Sequence, residues 1–345
     1  MGETVVVYGG LLVSILVFSI IKNKKFYNSI ISTLFVLILG LRASSVGADT
    51  TNYISHFFED QAKVLSLKQF LYFEPGYMLL TKIIGFFTNN GQVFIFIISL
   101  IMIYLFQKSV YKDLECIYLS YFLFVTFGFY FSSFVIIRQF LAMVILWHSL
   151  DAIKNRKFVK FLLYVILAMS FHKTAIIFIL LYFIYPLNVN KKYFILISIC
   201  TIGSILFLNR ILSFSLSLIP KYSVYIKNLN PGQGLKLLLL YSVIFIFVFM
   251  FRKKILPRDK IYIHMLGIAV VLQGTAYSFS LLTRLTQYFA LSIIVLIPNI
   301  LYRFKNNLIK IMGISSIVIF SLLYLTLILS QNKMRVIPYI FCFQN

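Results

Sequence analysis

Long apolar runs, separated by short clusters of lysine and arginine, recur along the whole chain and constrain its fold more than any other feature. Within lipid, only helices and closed barrels satisfy their own backbone groups, and barrel strands alternate polar with apolar residues. These runs do not alternate, so the expected class is all-α. A hydrocarbon core of about 30 Å takes roughly 20 helical residues per crossing. Spans are expected near residues 4–21, 28–41, 91–107, 114–132, 134–152, 158–171, 174–188, 193–209, 236–251, 260–277, 285–302 and 308–329, about twelve crossings. With 61% hydrophobic residues, 12% charged residues and a mean hydropathy of +0.95, no water-soluble fold could hide the apolar surface.

The net charge of +23 would suit nucleic acid, but basic clusters that punctuate apolar runs mark loops held on the cytoplasmic side. Glu3 precedes the first run, and Lys22, Lys24 and Lys25 follow it. That order is the reverse of a cleavable signal peptide and predicts an N-terminus outside. Alternate connections then hold Lys108, Lys112, Lys154, Arg156, Lys157, Arg252, Lys253, Lys254, Arg303 and Lys305 inside, and the C-terminus also falls outside. Counting Glu74 to Thr88 as a full span would expel those clusters, so it is expected to be a re-entrant or interfacial helix. The long outer connections lie near 42–73 and 209–235; the second, with Leu212, Phe214, Leu216 and Pro220, reads as amphipathic. No repeat or linker divides residues 1–345, so one transmembrane domain is expected.

Charges outside the inner loops gather on the outer face. Arg138 sits inside an apolar helix, where a guanidinium costs several kcal/mol without a partner or an aqueous cavity. Arg42 ends the second span and either snorkels to headgroups or serves a site. Asp49 either caps a helix carrying Tyr53, His56 and Phe57 or acts chemically. Glu74, before Pro75, is placed to cap the re-entrant helix. His172 occupies a turn between apolar helices, where a histidine can accept a proton or donate to an oxyanion. Arg284 opens a later span. Three arginines beside carboxylates and a histidine suit phosphate oxygens, so a lipid diphosphate is the expected ligand. No P-loop, dinucleotide fingerprint or HExxH is present, Cys116, Cys200 and Cys342 have no metal spacing, and Glu59-Asp60 is expected to face water; neither metal nor cofactor is expected.

Leu-Arg-Ala-Ser-Ser-Val-Gly-Ala-Asp-Thr-Thr-Asn-Tyr at 41–53 resembles a pattern of the EpsG/Wzy-type bacterial polysaccharide polymerases. Glu74-Pro-Gly-Tyr77, Arg138-Gln139, Phe171-His172-Lys173-Thr174, Arg284 with Tyr288-Phe289, and Pro338-Tyr339 follow in the family's order. Lys173-Thr174 stands where Lys-Ser is also common, which keeps the hydroxyl. The resemblance implies a GT-C-like glycosyltransferase of the bacterial cytoplasmic membrane. It would join repeat units carried on undecaprenyl diphosphate at the outer face, for capsule, exopolysaccharide or O-antigen, beside a flippase and a chain-length regulator. On that chemistry Arg42, Arg138 and Arg284 would clamp the diphosphate and Tyr53, Tyr77 and Tyr288 would stack on sugars. Asp49 and His172 are the candidates for the base, with Glu74 in reserve. A glycan ligase would break the same bond. A flippase should show midplane charges and broken helices in repeated halves, and the sequence shows neither.

Overall fold

In a computed structural model, residues 2–62, 74–208, 232, 234–277 and 282–344 are described, and they are all-helical apart from one antiparallel bridge between Arg42 and Phe341. The amphipathic outer stretch expected at 212–220 lies outside the described residues. In chain order the helices are α1 (Gly2–Val17), α2 (Lys24–Gly40), α3 (Thr50–Ala62), α4 (Pro75–Phe87), α5 (Gly91–Val110), α6 (Ile117–Thr126), α7 (Phe129–Val135), α8 (Ile137–Trp147) and α9 (Leu150–Lys154). They continue with α10 (Phe158–Phe171), α11 (Ile179–Ile184), α12 (Lys191–Gly203), α13 (Leu235–Met250), α14 (Lys260–Thr275), α15 (Thr283–Ala290), α16 (Ile293–Tyr302) and α17 (Asn307–Gln331).

Among the described residues four helical stretches are long and apolar enough to cross a membrane, Gly2–Ile20, Gly91–Asp113, Thr283–Tyr302 and Asn307–Gln331. The bent pair α6 and α7 would make a fifth. The other expected spans are present as shorter helices, because the chain breaks where the hydropathy pattern runs on. Between α6 and α7 the axis turns by 52°. Gly128 sits there at φ +80°, and a Cβ would lie 2.8 Å from Ile328 Cδ1, so both conformation and space call for glycine. A second break at Ile136 starts α8. The sequence reading found no broken helix; glycine in an apolar run is too common to announce one.

The folded residues cluster into two compact units. The first gathers Met1–Leu150, Val159–Ile176 and Phe304–Asn345. Antiparallel α2 and α5 form its spine, approaching so closely at Gly40 that a Cβ would meet Phe96 Cδ2 at 2.7 Å. Phe106 stacks on Phe124 at 4.2 Å between centroids, and Phe35, Tyr121 and Tyr130 complete an aromatic core. The tail after α17 runs back along residues 41–48. Ala43 N donates to Ile340 O (2.8 Å), Gly47 N to Arg335 O (2.7 Å), Ala48 N to Met334 O (2.9 Å) and Cys342 N to Leu41 O (2.8 Å).

The second unit gathers Asp151–Phe158 and Ile177–Arg303. Its centre is α14, packed by α12, α13 and α15. Asp259, 1% exposed, accepts from Arg303 Nη1, from Asn299 Nδ2 at 3.3 Å and from the Leu256 amide at 3.3 Å. Arg303 is therefore part of a buried brace as well as a topological charge.

Candidate functional site

Arg138 and His172, two of the expected site residues of the first unit, meet on the carboxylate of a third, Glu74. Pro75 at the first position of α4 fixes the helix start, and Glu74 takes the cap position with its backbone. Its side chain does not cap the helix, contrary to the expectation, because it is committed elsewhere. Oε2 accepts from Arg138 Nη1 at 2.9 Å. Oε1 lies 2.6 Å from His172 Nδ1 and accepts from the Lys173 amide at 3.2 Å. The three parts come from the start of α4, the first turn of α8 and the turn that ends α10.

Local structure accounts for each placement. The break at Ile136 puts Arg138 in the first turn of α8, where a cation opposes the helix dipole. Glu74 offsets that cost, and Tyr53 and Tyr77 cover the guanidinium, with ring centroids 5.8 and 5.7 Å from its carbon. The two rings meet edge to face at 6.2 Å. His172 continues the hydrogen bonding of α10, donating its amide to Ala168 O at 2.9 Å, before the chain turns into the short 3-10 segment Lys173–Phe178. What lets α4 reach α10 is Gly76. A Cβ there would sit 3.0 Å from Ser170 Cβ and 3.1 Å from Phe171 Cε2.

Side-chain exposure falls from 39% at Arg138 to 26% at His172 and 11% at Glu74, so the carboxylate lies at the bottom and the guanidinium and imidazole nearer the rim. Burial on its own would raise the Glu74 carboxyl. The His172 hydrogen bond, the Arg138 charge and the Lys173 amide outweigh it and hold the group below the ordinary carboxylate value. Glu74 is thus a carboxylate at neutral pH. A contact of 2.6 Å to an ionised carboxylate places a proton on His172 Nδ1, and in the neutral imidazole the acceptor is then Nε2.

The sequence profile of the EpsG family matches residues 9–341 of the chain. The chain belongs to the EpsG family. No curated protein matches it, and no solved structure does. Helices long and apolar enough to cross a bilayer, together with this membership, make it a membrane protein.

Within this EpsG-family chain the remaining expected site residues take other positions. Arg42 is fully buried rather than open to a diphosphate. Its guanidinium donates to Leu39 O, Val46 O (3.3 Å), Thr50 Oγ1 (3.4 Å) and Phe134 O (3.4 Å), and lies 5.0 Å from the Phe134 ring centroid. It braces the 41–50 turn against Leu39 O at the end of α2 and Phe134 O of α7, while Val46 O also accepts from Thr50 Oγ1 at 2.7 Å. Tyr53 and Tyr77, 8% and 5% exposed, spend their faces on Arg138, and Tyr288 is fully buried; none of the three offers an open face for a sugar. Asp49 precedes α3, its carbonyl accepting from the Tyr53 amide at 3.0 Å, and the hydrogen bonds described for Glu74 do not include it. Arg284 is exposed on α15 of the second unit. Glu59 faces His56 at 3.4 Å on the exposed side of α3.

Sequence reasoning missed the Lys173 amide, the Gly76 approach and the bracing of Arg42. Pro75-Gly76 after an acid was a usable signal for the second; backbone donors carry none.

Proposed function

We propose that the protein is a membrane-embedded, many-spanning glycosyltransferase of GT-C-like build that polymerises undecaprenyl-diphosphate-linked oligosaccharide repeat units at the outer face of the cytoplasmic membrane. The observation that carries this reading, in an EpsG-family chain, is the division of one carboxylate between an arginine and a histidine. Glu74 holds His172 in the tautomer whose Nε2 accepts a proton. It also fixes Arg138 by one nitrogen, and the part of the planar fork not turned to Glu74 and Tyr53 suits phosphate oxygens.

The chemistry balances with these parts. A hydroxyl of the acceptor sugar attacks the anomeric carbon of the donor, and its proton passes to His172 Nε2. The bond from that carbon to the diphosphate oxygen breaks, and the electron pair leaves with the diphosphate, whose charge Arg138 meets. Asp49 is the alternative base. Flippase and chain-length regulator are the expected pathway partners.

The test is the size distribution of lipid-linked glycans in cells lacking the gene, complemented at equal protein level with the wild type, Arg138→Ala or His172→Ala. Single repeat units should accumulate on the outer leaflet without the gene and with either variant, with polymer reduced about 100-fold or more. Long chains retained on the carrier would identify a ligase instead, and single units held on the inner leaflet a flippase.

A further inference from the structure

A groove of about 320 Å³ runs along the first unit between α2 and α5, away from the Glu74 cluster. The helices are antiparallel, so the groove has two distinct ends. Toward the end of α2 it is lined by Val36, Leu37, Phe96 and Leu100 and is wholly apolar. Toward the start of α2 it is lined by Ser29, Ser32 and Gln107. Gln107 is anchored through its oxygen, which accepts from Asn28 Nδ2 and from Ser32 Oγ (3.2 Å). Asn28 in turn accepts from Tyr121 OH. The Gln107 Nε2 donors are thereby left to the groove.

Each helix also places a lysine near the polar end, four residues along the helix from a residue that lines the groove. Lys25 precedes Ser29 by four residues and Lys108 follows Tyr104 by four, both exposed. Lys108 Nζ stands 5.7 Å from the centroid of Tyr104, itself a wall of the groove. From Phe96 to Gln107 the groove is about 16 Å long.

We infer that this groove binds one anionic glycerophospholipid, its phosphate between Lys25 and Lys108, its ester region at Gln107 and one acyl chain along Val36, Leu37, Phe96 and Leu100. Charge complementarity and the polar-to-apolar gradient select this occupant. A polyprenyl chain would leave the serines and the glutamine against hydrocarbon, and a zwitterionic lipid would make less use of two lysines. The inference rests on the membrane setting of α2 and α5 and not on the polymerase reading.

The experiment is native mass spectrometry of the full chain released from nanodiscs of phosphatidylglycerol, phosphatidylcholine, or phosphatidylcholine doped with undecaprenyl phosphate. The wild type should retain one phosphatidylglycerol and about tenfold less phosphatidylcholine, with retention falling as salt rises. The double variant Lys25→Ala/Lys108→Ala should lose that preference, and Leu100→Trp, which fills the apolar half and keeps both lysines, should lose retention altogether. Equal retention of both phospholipids by the wild type, unchanged retention in both variants, or selective retention of undecaprenyl phosphate would each overturn the proposal. The wild-type comparison decides the matter even where a variant does not fold.

Discussion

Glu74 shows how a single side chain can hold a site together without touching the reacting atoms. Its two oxygens take three donors from two other stretches of chain, and the lowered carboxyl is the electrostatic record of that arrangement. Because the folded value lies below the ordinary one of 4.5, its stabilisation is fully present above the ordinary carboxylate range and is lost as pH falls through the lowered value. Glu74→Gln should therefore flatten the acid side of a melting-temperature profile below the ordinary carboxylate range. It should also cut polymerisation at neutral pH, about 100-fold or more, since the neutral amide no longer selects the His172 tautomer. Equal acid sensitivity in the variant would count against Glu74 as the titrating group. Arg138, Glu74 and His172 were all legible in the sequence, because an intramembrane charge and an acid before proline stand out against an apolar background. Arg42 stood out in the same way, and its fate was not legible: a guanidinium serves carbonyl oxygens and phosphate oxygens with the same fork.

At the scale of elements, the site depends on helices that stop. α7 ends at Val135 and α8 begins two residues later, so that Arg138 falls in a first turn; α10 ends at Phe171, so that His172 and the Lys173 amide point at one carboxylate. Gly76→Ala tests the packing that makes this possible. Ser170 Oγ can rotate away from a new methyl group, but Ser170 Cβ and Phe171 Cε2, at 3.0 and 3.1 Å, cannot without moving α4 from α10. The expected cost is about 1–3 kcal/mol, read as a lower melting temperature, together with lost polymerisation as the Glu74–His172 contact lengthens. A variant as stable and active as the wild type would show that the approach is not needed. Hydropathy marked where apolar helix lies but not where it breaks, since glycine at 128 and the turn at Ile136 interrupt hydrogen bonding without interrupting the apolar run. The continuous spans expected at 114–132 and 134–152 are fragmented for that reason.

Across the whole molecule, α2 and the segment after α17, distant in sequence, share one structural task. Tyr339 OH donates to Ile38 O at 2.8 Å and its amide to Thr4 Oγ1 at 2.9 Å, while Tyr8 OH donates to Val336 O at 2.8 Å. Arg42 and residues 334–342 therefore brace the same turn from two sides. Arg42→Ala and removal of residues 333–344 should produce one common defect, loss of folded protein by at least about 3 kcal/mol, because the first strips donors from Leu39 O and Phe134 O and the second strips acceptors from the Ala43, Gly47 and Ala48 amides. Quantitative blotting and thermal unfolding at equal expression check this; normal protein level with selective loss of polymer in Arg42→Ala would return Arg42 to the diphosphate. The all-helical membrane class was legible in composition and periodicity alone, whereas this long-range clasp has no periodic signature. The clasp also sets a timetable for synthesis. The ribosome makes the Arg42 turn early, and every acceptor of its guanidinium has been synthesised by Phe134, but the tail carbonyls that receive the Ala43, Gly47 and Ala48 amides emerge only after the whole of the second unit, so through most of translation three amides of the turn wait for their acceptors.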